Sequence, residues 1–105
     1  MNKYKLNFYS WQKNSDPDVK KSTILLVSVG PITFPVKIQM SRTLFNSLIS
    51  VLPESEIEKR MLLVGLPRLK TKLKYADVPT TSSGNIPLEE NFTSDHYDLF
   101  MEEIP

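Results

Sequence analysis

The chain has no cysteine, only three glycines, one histidine, and no Lys or Arg beyond Lys74. Without thiols, disulfides and thiolate metal sites are closed to it. With glycine only at Gly30, Gly65 and Gly84, it contains neither a G-x-x-x-x-G-K-[ST] nor a G-x-G-x-x-G phosphate loop, and no G-x-S-x-G elbow appears. His96 stands beside Asp95 in an acidic C-terminal stretch expected to be mobile, whereas catalysis needs a group held near its target geometry. The carboxylate pairs Asp16/Asp18 and Glu54/Glu58 fall in a polar loop around a proline and on what would be one solvated helix face, which are poor acid/base or metal settings. These absences point away from an enzyme, a cofactor or a metal. No apolar run approaches the roughly 18–20 residues of a membrane span, and Met1 to Trp11 lacks the pattern of a secretory signal, so Asn91-Phe92-Thr93 is not read as a glycan acceptor. The expected compartment is the cytoplasm, with no membrane partner.

What is present is charge in two blocks. Residues 1–80 hold all 13 Lys and Arg against six acids, a balance of +7, while residues 81–105 hold six acids and no Lys or Arg, a balance of −6. At 105 residues this suits one small domain, residues 1–78, followed by a linker and acidic tail, residues 79–105. A basic body suggests a polyanionic partner, and an acidic tail suggests interaction or mere solubility.

Apolar periodicity supplies the elements. Met1 to Trp11 alternates, with Tyr4, Leu6 and Phe8 on one side and Lys3, Lys5, Asn7, Tyr9 and Trp11 on the other. Rings beside lysines are what single-stranded nucleic acid binders use for stacking, although Tyr9 and Trp11 could instead fold over as core lids. Ser22 to Val29 reads as a strand covered on both sides, Gly30-Pro31 as a turn, and Ile32 to Met40 as its hairpin partner, with Pro35 short of one amide donor. From Ser41, a plausible N-cap, Leu44, Phe45, Leu48, Ile49 and Leu52 take helical spacing until Pro53. Glu54 to Arg60 reads as a further helical turn or a loop, Met61 to Val64 as a short strand, and Gly65-Leu66-Pro67 as a turn. Arg68 to Ala76 reads as a last strand, with Arg68, Lys70, Lys72 and Lys74 on one face and Leu69, Thr71, Leu73 and Tyr75 on the other. Such a cation row is either a solvated face or a track for phosphates.

The expected fold is mostly β, in the order β-β-β-α-β-β. That order, in about 80 residues, resembles the oligonucleotide-binding (OB) fold, a small five-stranded barrel. With an acidic tail after a Thr/Ser/Gly linker, the chain resembles the single-stranded-DNA-binding proteins of bacteria, phages and plasmids, in which the barrel holds the strand and the tail recruits protein partners. Met101-Glu102-Glu103-Ile104-Pro105 looks like their acidic ending without its terminal Phe, so Phe100 would have to substitute. A single-strand reading assigns Lys3, Lys5, Lys37, Arg68, Lys70, Lys72 and Lys74 to the phosphates, with Tyr9, Trp11 and Phe34 or Tyr75 as stacking platforms. The resemblance implies a protein partner for Tyr97, Asp98, Leu99, Phe100, Glu102, Glu103, Ile104 and Pro105. The C-terminal segment could equally fold back on its own body; as a polyanion, a free tail would compete with DNA for the basic face, and deleting residues 84–105 would then tighten binding. The alternative is a small phage or plasmid inhibitor or adaptor that binds a host protein through its acidic tail. An exposed strand edge would also suit a homodimer.

Overall fold

The computed structural model describes residues 4–13, 16–75, 86 and 88–102. Three strands form an antiparallel meander: β1 (Lys5–Gln12), β2 (Val19–Val29) and β3 (Ile32–Ser41). Gly30 and Pro31 join β2 to β3; Gly30 has φ 60°, a conformation open to glycine and suited to a two-residue hairpin loop. Ser41 caps helix α1 (Arg42–Ile49), its hydroxyl accepting from the Leu44 amide at 3.2 Å. Helix α2 (Glu54–Tyr75) follows, and the chain returns as β4 (Glu89–Phe92), parallel to β3, then a 3-10 turn (Ser94–His96) and helix α3 (Tyr97–Met101). The result is a small α/β protein with a mixed sheet in the order β1-β2-β3-β4, its edges unjoined. No barrel closes. Among the described residues no helix is long and apolar enough to cross a membrane.

The largest departure from the sequence-based expectation is α2. Met61 to Val64 and Arg68 to Ala76 were expected as strands around a Gly-Leu-Pro turn; Met61 to Tyr75 instead continues one helix of 22 residues, while Ala76 lies outside the described residues. The reason is the stripe Ile57, Met61, Gly65, Leu69 and Leu73, all buried, which recurs every fourth residue and lies on one helix face. Pro67 removes one donor and costs about 3 kcal/mol in a helix interior, but burying several large side chains, at about 1.5–3 kcal/mol each, outweighs that. At Gly65 the helix comes so close to the sheet that an added Cβ would lie 2.7 Å from Ile38 Cδ1.

The acidic segment is the second departure. It was expected as a flexible tail, yet Phe92 and Phe100 are fully buried in the same core as Phe34, Val36, Ile38, Met40, Leu44 and Leu48. Their rings meet edge-on at 4.9 Å. This part of the chain had enough apolar surface to offset its ordering entropy.

A charged clamp fixes the start of α2. Lys21, on the helix-facing side of β2, lies 4.9 Å from the Trp11 ring and pairs with Glu54 at 2.9 Å and with Glu58. Burial lowers the Lys21 pKa, but hydrogen bonds and charge from Glu58 and Glu54 prevail and raise it above its ordinary 10.5. Hydrogen bonding and charge from Lys21 lower Glu54 below its ordinary 4.5. The lysine's contribution is complete below about 10.5 and is lost as pH rises through the raised value. The glutamate's is complete above about 4.5 and is lost as pH falls through the lowered value. The urea midpoint of Lys21→Met is therefore expected to fall furthest below wild type between those limits and to converge on it at both extremes; a gap independent of pH would contradict the clamp.

Candidate nucleic-acid interface

The expected binding residues separate into four groups, because they stand on different elements from those their spacing suggested. Lys70, Lys74 and Tyr75 are exposed at the end of α2, Tyr75 at 79%. The Lys74 ammonium lies 5.6 Å from the centre of the Tyr75 ring. The Tyr4 hydroxyl donates to the Leu73 carbonyl at 3.0 Å, which ties the start of β1 to the last turn of α2 and brings exposed Lys5 to the same end of the molecule. Lys70, Lys74 and Lys5 pair with no acid among the described residues. Lys72 and Lys74 also complement the negative end of the helix dipole.

Arg68 and Lys72 form the second group, and they are engaged within the chain. Glu90 on β4 is buried, 5% exposed, and pairs with Lys72 at 2.7 Å and Arg68 at 3.5 Å, while Lys72 also donates to the Glu89 carbonyl at 2.9 Å. A carboxylate at this depth needs its counter-charges, since unpaired burial costs several kcal/mol. The four-cation row is thus not a row: on a helix, Arg68 and Lys72 share the side that faces β4, and Lys70 and Lys74 share another.

Trp11 forms the third group. A bulge between Phe8 and Ser10 shifts the register by one residue, so Trp11 pairs with Thr23 on the helix-facing side rather than standing on the opposite face. It is half-buried against the core, 6.1 Å from the Phe8 ring. Phe8, expected as core, is instead 52% exposed at the sheet edge. Phe34 is buried and is no platform. Lys3, Glu103, Ile104, Pro105 and the Tyr9 side chain lie outside the described residues.

The fourth group is Lys37, on the other sheet face in a polar hollow of about 370 Å³ with Gln12, Lys13, Ser22 and Gln39. Lys13, Lys20 and Arg42, which no motif had marked, cluster beside it. They were missed because they come from three elements that only the β1-β2-β3 meander brings together. In the C-terminal segment, Tyr97 and Leu99 pack on the core, Phe100 is fully buried, and Arg60 donates to the Phe100 carbonyl at 2.5 Å and to that of Glu102 at 3.4 Å. Phe100 is therefore not displayed as a partner anchor. Asp98, Met101 and Glu102 remain exposed.

The fold and its surface define a small α/β protein with a basic, ring-bearing end. No protein-family model, curated protein or solved structure matches the chain.

The division between paired and free cations has a direct consequence. Lys72→Ala, which strips a partner from buried Glu90, is expected to cost about 1–3 kcal/mol of unfolding free energy, whereas Lys70→Ala is expected to stay within about 0.5 kcal/mol of wild type. Equal losses in urea denaturation would contradict the arrangement.

Proposed function

We propose that the protein binds single-stranded nucleic acid, without catalysis, at the end of α2 and the start of β1. The observation that supports this most is Tyr75: a large ring left 79% exposed, with the Lys74 ammonium beside it and Lys5 and Lys70 unpaired at the same end. An exposed ring offers a face to any base, and ammonium groups around it follow phosphates. DNA is the expected strand. Arg68, Lys72 and Trp11 are left out of this surface by their partners in the fold. The acidic segment does not act as a detachable competitor, since removing residues 84–105 would take Phe92 and Phe100 out of the core.

Anisotropy of a labelled short oligothymidylate over a salt series tests the reading. Three phosphate contacts predict a slope of log K against log salt near −2, at about −0.7 per contact. Lys74→Ala is expected to reduce that slope by about 0.7, and Tyr75→Ala to weaken binding by about 1–3 kcal/mol, the worth of one stacked base. Absence of binding, or a slope and affinity untouched by both changes, would overturn it.

A further inference from the structure

The outer edge of β1 pairs with no strand among the described residues, and it runs from Lys5 to the loop beyond Gln12. At about 3.3 Å per residue, Lys5 and Lys13 stand about 26 Å apart along it. At the far end, Lys13, Lys20 and Arg42 are all exposed and line one hollow of about 320 Å³. Lys21 and Glu54, also in its wall, form an ion pair that Glu58 joins, and Glu54 also feels the charge of Lys20. The other three cations have no ion-pair partner among the described residues.

Two contacts hold this cluster in shape. Arg42 Nε donates to the Pro17 carbonyl at 2.7 Å and its amide donates to the Asp18 carbonyl at 2.8 Å, which fixes the turn before β2 and leaves the terminal guanidinium nitrogens without a partner among the described residues. The Lys20 ammonium lies 5.5 Å from the centre of the Phe45 ring, a cation–π contact that holds the charge beside the hollow. The register irregularity between Val19 and Lys21 is what turns Lys20 toward this hollow. Between the two charged ends, Phe8 presents a half-exposed ring on the same strand.

We infer that the Lys13, Lys20 and Arg42 hollow is a second phosphate-binding site, which takes the backbone of a strand that starts at Tyr75 and follows the β1 edge past Phe8. The inference rests on the single-strand reading above but adds a site and a path to it. A free phosphate or nucleotide would satisfy the same three cations, and only a continuous strand links them to the Tyr75 end. The bulge at Phe8 and Ser10 disrupts the regular ladder at this edge, which disfavours a second copy of the chain as the occupant.

The test uses the full chain, labelled oligothymidylates of about 4 and about 16 nucleotides, and the charge reversals Lys13→Glu and Lys20→Glu, with Lys59→Glu on the solvent side of α2 as the control. The short strand should bind with the slope near −2 given above, and the long one with a slope near −4, since three further contacts each add about −0.7. Lys13→Glu with Lys20→Glu should lower the long-strand slope by at least about 1.4 and leave the short strand unchanged, while Lys59→Glu changes neither. If the short strand binds as described but the long one gains nothing, or gains something that the two reversals do not remove, this second site is wrong and the first stands. If neither strand binds, the single-strand reading fails and this site fails with it. Inorganic pyrophosphate that displaces the short strand as readily as the long one would also overturn the path.

Discussion

Helix α2 can lie tight on the sheet because Gly65 puts no side chain between its backbone and Ile38. That one close approach fixes where the rest of the helix falls. Its start reaches Lys21, where Glu54 and Glu58 meet a lysine backed by Trp11. Its later turns reach β4, where Arg68 and Lys72 meet Glu90. Its last turn reaches β1, where Tyr4 meets the Leu73 carbonyl. A Cβ at position 65 would crowd the Ile38 side chain, whose terminal methyl would have to move to admit it.

This geometry redistributes the charge read along the chain. The excess of acids after residue 80 does not stand apart from the basic body: Glu90 sits within it, and Arg60 holds two carbonyls of the last helix and the residue after it. Among the described residues, the cations without an ion pair include Lys5, Lys70 and Lys74 at one end of β1 and Lys13, Lys20 and Arg42 at the other, with Lys37 and Lys59 elsewhere, and exposed rings stand at Tyr75 and Phe8. Ion pairs inside the fold thus decide which lysines are left for a polyanion. That selection, rather than the total charge, gives the surface its character.

Much of the first half of the fold was legible. The strands near 22–29 and 32–40, the turn at Gly30-Pro31, and the helix capped by Ser41 follow from alternation, turn chemistry and spacing. The later misses have separate physical causes. Arg68 to Tyr75 satisfies a strand's alternation within eight residues, and only the wider stripe from Ile57 to Leu73 shows the helical period; Gly65 and Pro67 read as a turn because the helix tolerates them only when packed. Trp11 changed sides through a bulge, and a bulge leaves no mark in an alternating pattern. The C-terminal segment looked too acidic to fold, but two phenylalanines eight residues apart, with Glu90 balanced by Arg68 and Lys72, were enough. Of the site, Tyr75, Lys70, Lys74 and Lys5 were visible as residue types, whereas Lys13, Lys20 and Arg42 required the meander to bring them together.

The division of the cations depends on the C-terminal strand being part of the sheet, since Glu90 is the acid with which the partly exposed Arg68 and Lys72 pair. Amide hydrogen exchange of the native full chain measures this directly. The Glu90 and Phe92 amides, which face β3 in the parallel ladder, should exchange slowly, within reach of those of β3, because they belong to a cooperative core. Exchange at unfolded-chain rates there, with β1 to β3 still protected, would contradict this pairing and leave Arg68 and Lys72 without their acidic partner.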